Sequence, residues 1–160
     1  MLRLTSAAAV LVLTVLGVIG TGAGDSLSGR DPLRRYSTNP IMIAGQIRVA
    51  MEFEERAFTL LQQATRSKED LKIAMDRVYE AYVMIRWALG GVRQIRWNRK
   101  YEDPTLDLQL DLMEKGRTEL RWCLRELGRV GNGEVAHLET AHAHLLESFR
   151  TLQTVLPLIL

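Results

Sequence analysis

Leu71–Arg99 reads LKIAMDRVYEAYVMIRWALGGVRQIRWNR, and its spacing decides the fold. Leu71, Val78, Ile85 and Val92 recur every seventh residue, with Ala74, Ala81, Ala88 and Ile95 between them. Alternating steps of three and four put these side chains on one stripe of an α-helix, whereas a strand would divide them between two faces. Met75, Tyr82 and Leu89 widen the stripe to the breadth of a globular bundle rather than a two-stranded coiled coil. The alanines admit a close neighbouring backbone. Gly90-Gly91 falls inside the same helix, where two glycines cost roughly 1–2 kcal/mol relative to alanine. That cost predicts a kink or another backbone packed tightly against them.

Working outward, Glu102-Asp103-Pro104 breaks the chain, with Asp103 as N-cap and Pro104 at the first helical position. The following TLDLQLDL alternates like a strand at Leu106, Leu108, Leu110 and Leu112. Leu106, Leu110, Met113, Leu120, Leu124 and Leu127 nevertheless continue at helical spacing, and no partner strand is evident, so a helix is expected. Gly128–Gly133 (GRVGNG) reads as a turn. A last helix is expected from about Glu134 to Leu156, with Val135, Leu138, His142, Leu145, Phe149, Leu152 and Leu156 facing inward and Pro157 ending it.

Upstream, Asn39-Pro40 opens a helix whose buried stripe reads Ile43, Ile47, Ala50, Met51, Ala57, Phe58, Leu61 and Ala64, ending near Arg66. Ser67-Lys68-Glu69-Asp70 resembles a capping box and starts the Leu71 helix almost at once. So short a connection makes the two helices antiparallel neighbours. The fold class predicted for 39–160 is all-α, an up-down-up-down four-helix bundle.

Before the bundle lie two further segments. Residues 1–23 (MLRLTSAAAVLVLTVLGVIGTGA) carry one charge, Arg3, then an apolar run and small residues, the order of an export signal peptide cleaved after Ala23. Retained, Leu4–Ala23 is just long enough to serve as a membrane anchor. Arg34-Arg35-Tyr36-Ser37 resembles a mitochondrial processing site, although the first segment lacks the Arg-rich amphipathic pattern of a presequence. Residues 24–38, rich in Gly, Ser, Asp and Pro, read as a flexible extended arm that a partner would order.

The whole chain of 160 residues is 47% hydrophobic and 25% charged, the composition of a folded domain. Its 21 basic and 19 acidic residues leave +2, too little to imply nucleic-acid binding by itself. Cys123 is the only cysteine, which excludes an intrachain disulfide and suits a small core residue. Glu134-x-x-His137 and Glu139-x-x-His142 match one element of di-iron bundles, but both lie on one helix and their side chains diverge. His142 is expected to be a hydrogen-bonded core histidine. No nucleophile–base pair, phosphate loop, metal site or cofactor site is expected, and no small-molecule substrate.

From Arg86 onward the outer faces carry Arg86, Arg93, Arg96, Arg99 and Lys100 with no acid among them, interleaved with Trp87 and Trp97. Such a run is either a solvated face, a docking surface for an acidic protein, or a surface for nucleic acid or anionic lipid. Arg and Trp are favoured interface anchors, so Arg86, Trp87, Arg93, Arg96 and Trp97 are the expected partner-binding residues.

Tyr82–Arg93 (YVMIRWALGGVR) resembles a helix of the PsbQ-type extrinsic proteins of photosystem II, which reads roughly Phe-Ile-Arg-Gly-Pro-Leu-Gly-Glu-Leu-Arg. Ile85, Arg86, Leu89, Gly90 and Arg93 match it. Asn132, Ala136, Ala143, Phe149, Leu152 and Leu156-Pro157 are similar to that family's closing pattern. Ala88 stands where the family has proline, and Ser148 where it has an acid. The resemblance, over about Asn39–Pro157, implies a thylakoid-lumen subunit docked on photosystem II. Members of that family catalyse nothing; they shield the manganese–calcium cluster and help retain its chloride and calcium. The alternative is a single-span accessory subunit of a respiratory or other membrane complex, in the mitochondrial inner membrane or bacterial periplasm.

Overall fold

The computed structural model describes residues 36–63, 67–99 and 101–160. Within them the chain is all-helical: α1 (Pro40–Gln63), α2 (Lys68–Asn98), α3 (Pro104–Gly131) and α4 (His137–Ile159), with no strand. The first three helices start where short polar side chains take up amides that have no partner in the first turn. Asn39 Oδ1 accepts from the Ile41 amide at 2.9 Å. Ser67 Oγ accepts from Glu69 and Asp70 at 3.1 and 3.4 Å, and Asp103 Oδ1 accepts from Thr105 and Leu106, both at 3.1 Å. The expected end of α1 near Arg66, the signal or anchor over 1–23 and most of the arm lie outside the described residues.

α2 packs on α1 and α3, and α4 packs on α3 and α1, around one apolar core. In α2 the expected Leu71, Ala74, Val78, Ala81, Ile85, Ala88, Leu89 and Val92 are buried, Met84 and Gly91 join them, and Met75, Tyr82 and Ile95 of the expected stripe are only half-buried. In α3, Leu106, Met113, Leu120 and Leu127 are buried while Leu108 is exposed, so helical spacing prevails over the strand-like alternation. A fully buried aliphatic side chain contributes roughly 1.5–3 kcal/mol, which makes these stripes the main source of stability.

Three boundaries differ from expectation, the first being that α4 begins at His137 and not at Glu134. GRVG is the last turn of α3, because the Asn132 amide still reaches the Gly128 and Arg129 carbonyls at 3.2 and 3.0 Å. The reversal comes at Gly133, whose φ of +102° suits a residue without a side chain. Pro157 lies inside α4, near its end, where the hydrogen bond it cannot donate is one of few left to lose. Gln109 Nε2 donates to the Leu158 carbonyl at 2.5 Å and ties down that final turn.

The inward face of α4 also differs. Ala141, Leu145, Ser148, Leu152 and Val155 are buried, whereas His142, Phe149 and Leu156 are only half-buried and Val135, before the helix, is 61% exposed. The buried face is centred about 60° round the helix from the one that hydropathy alone favours, with Leu145 and Leu152 common to both.

The Gly90-Gly91 pair has a definite use. A Cβ on Gly90 would collide with the Tyr36 ring, and one on Gly91 with the Ser37 carbonyl and, at 3.1 Å, with Ile43. The end of the arm thus lies in a notch that two side-chain-free residues open in α2. Gly91→Ala should gain about 1 kcal/mol of helix propensity yet push that backbone out. We expect amide exchange at residues 36–39 to accelerate about fivefold or more, with Tm moved by no more than about 4 °C. Unchanged exchange would mean that the notch does not hold the arm.

Candidate functional site

Three arginines of the Arg86–Lys100 run meet acids of α3 or of its N-cap. Arg93 pairs with Glu114, which also holds Arg117 at 2.8 Å. Arg96 Nε meets Asp107 Oδ1 at 2.7 Å and Nη1 donates to the Tyr101 carbonyl at 3.4 Å. Arg99 pairs with Asp103. The Asp107 hydrogen bond pushes the Arg96 guanidinium's pKa further up. Exposed pairs of this kind add little stability, but they neutralise much of the run locally. Arg86 is exposed and pairs with no acid among the described residues, and Trp87 is half-buried. Trp97 stands out in solvent, 88% exposed. Of the five expected partner-binding residues, Arg93 and Arg96 therefore join α2 to α3, while Arg86 and Trp97 face outward.

Trp97 belongs to a larger apolar feature that periodicity did not disclose. Ile41, Met42, Tyr101 and Leu160 are exposed with it, around the end of the bundle where the arm enters. A cavity of about 410 Å3 opens at the same end, lined from all four helices by Ile43, Val92, Ile95, Leu106, Ile159 and Leu160 together with Arg99, Asp103, Thr105 and Gln109; of the exposed apolar residues only Leu160 lines it. Singly exposed apolar side chains are ordinary, whereas several at one end of a bundle form a candidate contact surface.

A second cluster lies in the core. Glu54 of α1 is 1% exposed, and its Oε1 accepts from Ser148 Oγ of α4 at 2.8 Å. Its other oxygen has no hydrogen-bond partner. Burial pushes this carboxyl up to about 8, even though the Ser148 bond works the other way. Ser148 is itself fully buried, so the rotated face of α4 carries this contact. Burial, with the Glu54 charge adding to it, pushes the Cys123 thiol up as well, so it is an inert core group.

His142 does not make the hydrogen bond expected of it. Its ring lies 5.3 Å from that of Phe58, its Nε2 is buried without a partner, and burial lowers its pKa. The other two histidines face acids of α3, His137 Nδ1 at 2.6 Å from Glu126 and His144 Nδ1 at 2.7 Å from Glu119. Burial works to raise the Glu126 carboxyl, but His137 and Arg129 outweigh it and hold the group below its ordinary value. Among the described residues no three His, Cys, Asp or Glu side chains gather as a metal site would require. Among those residues, too, no helix is long and apolar enough to cross a membrane.

Compared with family models, with curated proteins and with solved structures, the chain matches none.

Proposed function

We propose that this chain is a non-catalytic docking subunit of a membrane-embedded protein complex, seated on it by the apolar end of an up-down-up-down bundle. The observation that carries the proposal is the exposure of Ile41, Met42, Trp97, Tyr101 and Leu160 at the start of α1, the end of α2, the α2–α3 connection and the end of α4. Side-chain contacts support the up-down order, because their residue numbers rise on one helix as they fall on the next. Arg93–Glu114 is followed by Arg96–Asp107, and Glu119–His144 by Lys115–Glu147. Between α1 and α4, Glu54–Ser148 is followed by Phe58–His142.

The residue pattern of Tyr82–Arg93 makes photosystem II the first complex to test, with the thylakoid lumen as location and retention of the cluster's ions as the consequence. Leu4–Ala23, kept as a membrane span, favours the second reading of an anchored accessory subunit of a respiratory or other complex. In both, the protein partner meets the same apolar end.

The test is native-gel co-migration from mild-detergent extracts. Trp97→Ser combined with Ile41→Ser should abolish co-migration with the complex while circular dichroism stays unchanged, since both side chains are exposed. Arg86→Glu should weaken it less. Retention of the double variant at parental levels would rule out end-on docking. The identity of the co-migrating subunits decides between the two complexes.

A further inference from the structure

Between α1 and α4 runs a groove of about 400 Å3, separate from the end cavity. Phe58, Leu145, Leu146 and Phe149 form its apolar walls, Glu54 lies at its inner side, and exposed Glu55 stands at the rim. Its size is within the range of small-ligand sites, which are largely apolar with a few placed polar groups. We propose that this groove binds an organic cation, an ammonium group carried on an apolar body, with the Glu54 carboxylate as its counter-ion.

Three features support this. Glu54 is a fully buried carboxyl with one oxygen already on Ser148 and the other unsatisfied, a cost that a bound donor or cation would remove. Two phenylalanines, Phe58 and Phe149, line the same groove, and the faces of aromatic rings attract quaternary and protonated amines. No basic side chain among the described residues forms an ion pair with Glu54, so that charge position is open to a ligand. A neutral ligand would gain only the apolar contact of such a wall, without the ion pair.

The groups facing Glu54 leave it as the one that responds. From α3, Cys123 is a thiol kept neutral by burial. From α4, Ser148 does not titrate in this range, and burial lowers His142, which keeps it uncharged at neutral pH. From α2, Arg77 lies over the Phe53 ring and pairs with Glu80 at 2.5 Å. On α1 itself, Glu55 is exposed to solvent. In the empty groove Glu54 holds its proton at pH 7. A cation placed beside it favours the carboxylate, so the O–H bond breaks and the proton passes to buffer as the ligand binds.

That release distinguishes the proposal from simple filling of an apolar groove. The probe is (3-phenylpropyl)trimethylammonium, whose charge is independent of pH, set against its neutral tert-butyl isostere. Isothermal titration of the full chain at pH 7, in phosphate and in Tris, should show saturable binding of the cation, about tenfold or more tighter than the isostere. The apparent enthalpy should differ between the buffers, because they take up the released proton with different heats. Glu54→Gln, which keeps the shape and the Ser148 acceptor, should remove the buffer dependence and weaken the cation about tenfold or more. Leu146→Trp, at a half-exposed wall position, should block both probes. Equal affinity for cation and isostere, a buffer-independent enthalpy in the parent chain, or undiminished binding by Glu54→Gln would each overturn the assignment. None of these outcomes bears on the apolar end of the bundle, so the two proposals fail separately.

Discussion

At pH 8 the Glu54→Gln chain should be about 4 kcal/mol more stable than the parent, whereas near pH 4 the two should unfold alike. The cause is the burial of Glu54, which carries its folded pKa from 4.5 up to about 8. The sign follows from proton counting. Between these values the folded chain holds a proton that the unfolded chain has released, so stability falls as pH rises, by about 1.4 kcal/mol per unit. Below 4.5 both states are protonated and the penalty vanishes; above about 8 both are ionised and it is complete. Glutamine has no such titration and can still accept from Ser148. Urea unfolding of both chains at pH 4, 6 and 8 measures the difference directly, and the contributions of all other ionisable groups cancel in the subtraction. Parallel stability profiles would show that the carboxyl reaches water and is not buried.

The second large effect is expected at the α3–α4 contact. Leu152 is fully buried and its Cδ2 lies 3.2 Å from where a Cβ on Gly116 would stand. Leu152→Ala should cost about 2–5 kcal/mol through lost burial and the cavity left behind. Gly116→Ala in the parent gains helix propensity but crowds Leu152, so its net effect should be small. Added to Leu152→Ala, the same change has room, and should recover about 1 kcal/mol or more. A double-mutant cycle by denaturant unfolding reads this coupling. Strict additivity would place the two helices further apart than described. Trp97→Ser, by contrast, should leave stability within about 0.5 kcal/mol, since that side chain is almost wholly in water.

Much of this architecture is legible along the chain. Helix starts at Asn39, Ser67 and Asp103 are local events, decided by one side chain and the two or three amides beyond it, and they stand where the residues place them. Most of the buried face of α2 is plain as well, because its ten buried positions are all small or apolar, although Met84 and Gly91 are not among those that the heptad spacing marks. Gly90-Gly91 announces a close approach without saying by what. Its occupant, the Tyr36-Ser37 end of the arm, lies more than fifty residues earlier and on another element.

What the amino-acid order determined, then, is the set of four rods, their breaks and the stripe each must bury, since capping and periodicity act over a turn or two. The tertiary structure alone decided which polar residues go inside and which charges cancel. Glu54 and Ser148 are 94 residues apart and each reads as a solvent-facing position by itself; buried together they satisfy one another, on a face of α4 other than its hydropathic optimum. The Arg93 and Arg96 charges were likewise visible, but the acids that meet them belong to α3. Hydropathy assigns a value to one residue at a time, while desolvation and ion pairing are properties of pairs brought together by packing.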